Sequence, residues 1–361
     1  MKVAILCHTA HFKSGSFKWV KEALSQKGVD ASLFAINADR WVLHELNKDN
    51  VDLVICVQSD LVAAWFLSRG VPAVCMPMAD GCGNMPDIYF ALSGMLGSIS
   101  MTDFIATKME RVRNTSYRMR YYNKPGDQKK VLAKDRGIDV FYGHRTTMWR
   151  EVNNLRNSLK QCGLRLHTHL MLDDPLETPD IRYNTTYFAD RSELDDVLYD
   201  SKFFLCPRIS EGIGFSTIHA MEHGCVPIAV DGPGNAEYID DGATGIVVSP
   251  AAATDNALED IISRLVGIRL PEIRQNIYKQ SEIGYELFQQ KLDGFPFYLK
   301  SRREAFLAHP DRYMPLELKF IISRLRMREI IEPSHKTIRT LRFYNKFLPQ
   351  GYARRVKLDK V

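Results

Sequence analysis

The stretch from Lys202 to Val230 constrains the fold more than any other. It opens on Lys202-Phe203-Phe204-Leu205, an apolar run that reads as a buried strand. A polar turn follows, Cys206-Pro207-Arg208-Ile209-Ser210-Glu211-Gly212-Ile213-Gly214. Next comes a short helix that Ser216 caps and Gly224 ends. Pro227-Ile228-Ala229-Val230 is the following strand. Strand, Gly-rich loop, helix and strand together predict one unit of a parallel sheet. The loop then sits at a strand's carboxyl end, where open α/β sheets bind ligands.

The chemistry of this loop suits a phosphate beside a sugar. Backbone at Gly212 and Gly214 can approach a ligand closely because no Cβ intervenes. The N–H groups of the helix starting near Ser216 point into the same space, and the helix dipole favours an anion there. Glu211 repels phosphate, but its carboxylate accepts hydrogen bonds from hydroxyl groups. Anion donors on one side and a hydroxyl acceptor on the other fit a nucleotide sugar.

Glu211-Gly212-x-Gly214-Phe215 through Ala220-Met221-x-x-Gly224-x-Pro227 resembles the donor-site motif of GT-B glycosyltransferases, in particular the retaining family 4 type. Gly232-x-Gly234-x-x-Glu237-x-Ile239-x-x-Gly242-x-x-Gly245 is similar to that family's next segment. The resemblance is specific over roughly residues 200–248. It implies an α/β chain of two facing Rossmann-like domains with a nucleotide sugar held by the second. In the family two glutamates are separated by seven intervening residues. The first matches Glu211 and contacts the donor sugar; the second grips the ribose, and its position here is His219. Either His219 or Glu222, one helical turn on, takes that contact. The resemblance also places an Arg on the donor diphosphate in the loop after the second domain's first strand, Tyr142-Gly143-His144-Arg145-Thr146, with a Lys five residues later. Arg145 matches the Arg, and Arg150 stands at the Lys position. Glu237 matches the residue beside the sugar or base.

The rest of the chain repeats an alternating strand–helix plan. Val3–Cys7, Ala31–Ile36, Leu53–Val57 and Ala73–Met78 read as strands. Helices are expected over Ser16–Gln26, Arg40–Leu46 and Leu61–Leu67, with a loop at His8–Gly15. That loop lacks GxGxxG, which argues against an ordinary dinucleotide site. A short strand and a helix fall within Ile99–Val112. A second series follows a turn-rich stretch at Tyr121–Asp127 and a charged connector at Gln128–Arg136. It has strands at Asp139–Tyr142, Leu164–Met171, Thr186–Phe188 and Ile246–Val248, and helices over Trp149–Gln161, Ser192–Asp200, Ala257–Val266 and Glu272–Leu292. Asp173–Arg182 reads as a polar loop. The expected boundaries are residues 1–122 for the acceptor-side domain, 123–137 for a linker, 138–270 for the donor domain and 271–361 for a helical basic extension.

At 361 residues there is room for two such domains. The net charge of +5 is unevenly placed. Residues 300–361 hold 16 Lys+Arg against 6 Asp+Glu, or +10, leaving −5 for residues 1–299. Lys319, Arg324, Arg326 and Arg328 alternate with Phe320, Ile321, Ile322 and Leu325, followed by Phe343, Tyr344 and Phe347. This pattern suits either a basic amphipathic helix on an anionic membrane or a helix packing back on the acidic first domain. No recognised nucleic-acid module is present. The opening apolar run is too short for a signal-peptide core, and no stretch reaches the ~20 apolar residues of a membrane span. Seven cysteines show no CxxC pair and no zinc-type spacing with histidine, so reduced buried thiols in a cytosolic protein are expected.

His8, His11 and Asp80 end strands on the expected ligand side of the first domain, with Lys13, Ser14 and Gly15 beside them. Asp80 is the candidate base or acceptor-hydroxyl ligand, although an Asp before Gly81 also suits a plain turn. The function expected is transfer of a sugar from a nucleotide-sugar donor to a glycan or lipid-linked acceptor, with retention. It needs no cofactor and no catalytic metal, and serves cell-surface polysaccharide or lipopolysaccharide synthesis on the cytoplasmic face. Two alternatives share the fold: a nucleotide-sugar epimerase and a non-catalytic sugar-nucleotide-binding subunit.

Overall fold

The structure is a computed structural model. It describes residues 1–36, 51–133, 135–143, 150–170, 181–184, 191–254, 258–313, 316–325, 327–331, 333 and 335–345. The chain divides into two compact units, one of Met1–Arg120 with Gln289–Val361 and one of Tyr121–Phe288.

The first unit is built on a parallel sheet of six strands: β1 (Lys2–His8), β2 (Asp30–Ile36), β3 (Leu53–Val57), β4 (Ala73–Met76), β5 (Ser98–Ser100) and β6 (Ser116–Arg118). Their order is β2-β1-β3-β4-β5-β6. Val3–Cys7, all of β3 and all of β4 are buried, as strands covered on both faces must be. Between the strands run α1 (Thr9–Ser14), α2 (Lys18–Gln26), α3 (Asp60–Leu67), α4 (Ala79–Cys82), α5 (Asp87–Ser93) and α6 (Asp103–Arg111). Thr9–Ser14 is a short helix where a loop is expected from the sequence. The expected helix at Arg40–Leu46 lies outside the described residues. Helix α2 turns Val20, Ala23 and Leu24 inward, and Phe17 joins them from its N-cap.

The second unit holds six more parallel strands: β7 (Ile138–Gly143), β8 (Leu166–Leu170), β9 (Ile181–Asn184), β10 (Ser201–Leu205), β11 (Val226–Val230) and β12 (Ile246–Val248). Their order is β12-β11-β10-β7-β8-β9. Helices α8 (Arg150–Gln161), α9 (Arg191–Asp200) and α10 (Phe215–Glu222) run between them, α7 (Gln128–Val131) precedes β7, and α11 (Pro250–Thr254) and α12 (Leu258–Gly267) follow β12. Strand β9 overlaps the expected polar loop, whereas the expected strand at Thr186–Phe188 lies outside the described residues. Residues 123–137 fall within this unit. Arg136, read from sequence as part of a charged connector, is only 5 % exposed.

Helix α13 (Leu270–Ala308) starts in the second unit and ends in the first. The sequence reading stops this helix at Leu292, before Pro296. Proline removes one N–H, but Phe295, Tyr298, Leu299 and Phe306 are buried around it, and their packing carries the helix on. Helices α14 (Pro310–Tyr313), α15 (Leu316–Arg324), α16 (Met327–Ile331) and α17 (His335–Asn345) follow. Ile321, Ile322 and Leu325 are buried within the first unit, while Phe320 stays half exposed under the Arg324 guanidinium, 4.8 Å from the ring centroid. No helix among the described residues is long and apolar enough to cross a membrane.

Candidate functional site

In the second unit the strand order reverses beside β7. The chain runs from β7 outward through β8 and β9, then returns to place β10, β11 and β12 on the other side. The gap between the carboxyl ends of β7 and β10 is the place where an open parallel sheet leaves room for a ligand. Gly143 ends β7, and a Cβ added there would meet nothing within 4 Å. The loop after β10 carries Glu211.

Two glycine-bearing loops shape this edge. Glu211 donates its backbone N–H to the Pro233 carbonyl at 3.0 Å. Gly234 has φ +90, and a Cβ there would lie 2.3 Å from the Glu211 carbonyl oxygen. Gly232 presses equally closely on Ile209, with 2.4 Å from its would-be Cβ to the carbonyl oxygen. Asn235, fully buried, joins the loops to the helix. Its Nδ2 donates to the Arg208 carbonyl at 2.8 Å, and its Oδ1 accepts from Thr217 Oγ1 at 2.7 Å. The Glu211 side chain keeps 13 % of its surface, with Arg208 Nε 3.8 Å from Oε1.

Helix α10 begins at this edge. Its N-cap is Gly214, in the left-handed region at φ +77, with no side-chain cap. Ser216, expected to cap the helix, instead lies in its first turn, because a glycine at positive φ starts the helix two residues earlier. The first bond of the helix runs from Ile218 N–H to the Gly214 carbonyl at 3.0 Å, so the N–H groups of Phe215, Ser216 and Thr217 precede the ladder. This is an anion-favouring helix start. Phe215 packs its ring edge-on against Tyr121 at 4.9 Å. Gly212 is buried in the loop, and Glu237 is half-buried in a 3-10 turn, its N–H donating to the Gly234 carbonyl at 3.1 Å.

Other expected donor residues lie elsewhere. His219 and Glu222 sit in the last turn of α10, whereas the sequence reading places His219 in the first. His219 Nε2 is 2.7 Å from Asp195 Oδ1 on α9, and Nδ1 is 3.6 Å from Glu222 Oε2. Arg150 is the exposed first residue of α8. Arg145 lies outside the described residues.

The first unit brings its expected residues together at one edge. Its strand order reverses between β1 and β3. His8 ends β1, His11 follows in α1, and Asp80 lies in α4 just after β4. Gln58, which takes φ +54 immediately after β3, donates Nε2 to Asp80 Oδ1 at 3.3 Å and also hydrogen-bonds His11. Burial lowers the His11 imidazole below its usual value, against the opposing pull of Gln58 and the Asp80 charge. Lys13 is exposed at the end of α1, and Gly15 takes φ +70 before α2. Behind Gln58 lies Asp60, whose Oδ2 accepts the Tyr89 hydroxyl at 2.8 Å.

Gln58, Asp60, Arg208, Asn235 and Asp195 all escaped the sequence reading. Arg208, in the Cys206–Gly214 turn, and Asn235, in Gly232-Pro233-Gly234-Asn235, stand in stretches that read as turns; nothing local marks the others.

Residues 150–282 match the family model described as glycosyl transferases group 1. No curated protein matches the sequence. Among solved structures, HepE of Anabaena in complex with UDP and glucose is similar at a TM-score of 0.55 and 14% identity, covering 83% of this chain and 100% of that one. Sucrose-phosphate synthase from Thermosynechococcus elongatus is similar at 0.63 and 11%, covering 85% and 100%. The lipopolysaccharide outer core galactosyltransferase WaaB, in its apo form, is similar at 0.55 and 13%, covering 84% and 100%. The chain, with two parallel sheets of reversed strand order, thus has the GT-B glycosyltransferase fold, and it is residues 150–282, most of them in the second unit, that match the glycosyl transferases group 1 model.

Proposed function

We propose that this protein transfers a sugar, with retention, from a UDP-sugar to a glycan or lipid-linked acceptor. The observation that carries the reading is the Glu211 loop, which leads from the carboxyl end of β10 into the α10 N-terminus, where no side chain caps the helix. The helix start and its flanking glycines receive the diphosphate, and the Glu211 carboxylate accepts hydrogen bonds from sugar hydroxyls. UDP is the nucleotide bound in HepE, which shares the fold. Charge develops on the leaving diphosphate as the glycosidic bond breaks. Fixed N–H donors, with Arg145, which follows β7 in the sequence, stabilise that charge. The acceptor hydroxyl then passes its proton to the departing phosphate, so no protein base is required. Asp80, His8, His11, Lys13 and Gly15 in the first unit bind the acceptor. No cofactor or catalytic metal takes part. The basic residues of α15 and beyond hold the enzyme at the cytoplasmic face of a membrane, in lipopolysaccharide or related surface-polysaccharide synthesis.

The test is a thermal-shift panel of UDP-, GDP-, ADP-, dTDP- and CMP-sugars, followed by product analysis. UDP compounds should raise the melting temperature selectively. Glu211→Ala should keep the fold and lose turnover by at least a hundredfold. Donor binding by the wild type with no transfer and no slow donor hydrolysis would sink the catalytic reading. An anomer inverted in the product would sink retention alone.

A further inference from the structure

Three side chains converge where α9 meets α10. His219 and His223 are four residues apart, so they share a helix face. Asp195 projects toward them from α9. His219 Nε2 lies 2.7 Å and His223 Nε2 3.4 Å from the same Asp195 oxygen, Oδ1. The imidazole rings are 4.6 Å apart. Both are largely buried, at 12% and 8% side-chain exposure, and Asp195 is the open member at 33%.

On His223 the opposite ring nitrogen is already engaged. His223 Nδ1 stands 2.8 Å from the His219 carbonyl oxygen. A carbonyl only accepts, so the proton is on Nδ1. His219 Nδ1 faces the Glu222 carboxylate at 3.6 Å, and Glu222 is itself 6% exposed. His223 is held as metal-ligating histidines are, with the far nitrogen donating to a carbonyl, and the Glu222 carboxylate stands near the far nitrogen of His219. The arrangement turns both Nε2 atoms toward one carboxylate oxygen. A neutral imidazole with Nδ1–H presents a lone pair at Nε2. A lone pair facing a carboxylate oxygen is repulsive unless a cation, proton or metal, lies between them.

We propose that Asp195, His219 and His223 bind one divalent cation of the zinc class, with water completing the coordination on the Asp195 side. Two imidazoles and a carboxylate are a borderline ligand set that zinc favours. Bonds of about 2.0–2.1 Å in a tetrahedron put neighbouring ligand atoms about 3.3 Å apart. The three atoms lie within 4.8 Å of one another. Small turns of the two rings and of Asp195, the most exposed of the three, bring them into range. His219 lies five residues past Gly214, roughly 7.5 Å along the helix axis. The ion therefore clamps α9 to α10 behind the Glu211 loop and does not touch a ligand at the helix start. The clamp stands independently of the proposed transfer reaction.

The test uses the full chain stripped with EDTA. Zinc chloride is titrated calorimetrically, and bound metal is measured after gel filtration. One equivalent per chain should be retained, and the melting temperature should rise. His223→Gln and Asp195→Asn should each weaken binding at least tenfold, whereas His11→Gln should leave it unchanged. Circular dichroism checks that the variants fold. If they do not, the wild type decides alone: cobalt(II) should give a tetrahedral visible spectrum, and zinc should shift the ring resonances of His219 and His223 and no other histidine. No stoichiometric zinc on the wild type would leave a proton as the sole occupant and overturn the proposal. Equal binding by the folded variants, or shifts at other histidines, would overturn it too.

Discussion

At the scale of single residues, the donor loop depends on a position where a side chain cannot fit. Gly234 combines φ +90 with a would-be Cβ 2.3 Å from the Glu211 carbonyl oxygen. Gly234→Ala must therefore strain its own backbone and push Glu211 away. The first effect alone is about 1–2 kcal/mol. We expect a lower urea midpoint and a weaker UDP-sugar response together. Gly267→Ala, where a Cβ meets nothing within 4 Å, should leave both unchanged. If Gly234→Ala were as stable as the wild type, the two loops would not be in contact. Asp60 gives a second residue-scale outcome. Burial raises its carboxyl to about 7, and the Tyr89 hydrogen bond only partly opposes the shift. An unfolded Asp titrates near 3.9, so between roughly pH 4 and 7 the folded state holds a proton that the unfolded state has lost. The stability due to this proton is complete below about pH 4, falls as pH rises toward 7, and is gone above it. Asp60→Asn removes the ionisation. Its stability relative to the wild type should therefore climb across that window, by on the order of a few kcal/mol, and then level off. A pH-independent difference in urea unfolding would refute this account.

At the scale of elements, Arg136 ties several helix ends together. Its Nη1 donates to the carbonyls of Leu198 and Ser201 at 3.1 and 2.6 Å, and its Nη2 to those of Val131 and His223 at 2.8 and 2.9 Å. These carbonyls stand at or beside the carboxyl ends of α9, α7 and α10, where backbone acceptors run out of helical partners and a cation is favoured. A lysine offers three donors on a point charge and cannot reproduce the planar fork. Arg136→Lys should destabilise the second unit by about 2–4 kcal/mol, since a buried acceptor left unsatisfied costs roughly 1–3. A melting temperature unchanged by that substitution would refute the clamp. The same residue shows where reading a sequence stops. The strand–loop–helix unit around Glu211 was legible because apolar runs, glycines and spacing are local signals. Leu53–Val57 and Ile246–Val248 were read to the residue for the same reason. Arg136 looked like part of a charged connector because its four partners lie up to 87 residues away. Asp195 and Asn235 were missed for the same cause: their partners come from other segments. Pro296 marks the limit in the opposite direction: it is a local helix breaker inside a helix that tertiary packing carries on to Ala308.

At the scale of the molecule, the first unit is closed by chain that returns from the far end of the sequence. Helix α3 is buried on every side, from Asp60 to Leu67, which its own neighbours in sequence do not explain. Helix α16 packs on it, with Ile330 and Ile331 buried. Helix α13 covers another part of the unit: Tyr298 donates its hydroxyl to the Ser98 carbonyl at 2.9 Å and stacks on Tyr117 at 4.8 Å. Arg303 Nη2 reaches Asp52 at 2.7 Å. The second unit, by contrast, is one continuous segment, Tyr121–Phe288. The two units should therefore respond differently to being cut out. A chain ending at Phe288 uncovers apolar surface on α3 and beside β5, each buried side chain contributing about 1.5–3 kcal/mol that a domain of ordinary stability cannot lose several times over. We expect that chain to melt without a transition from its first unit, while keeping the transition of the second. The segment Tyr121–Phe288 alone should fold and still be stabilised by UDP-sugars, because the Glu211 loop and the start of α10 are built entirely within it. Calorimetry of the two fragments beside the full chain separates these outcomes. A cooperative first-unit transition without residues 289–361 would show that the returning helices decorate this unit and do not complete its core.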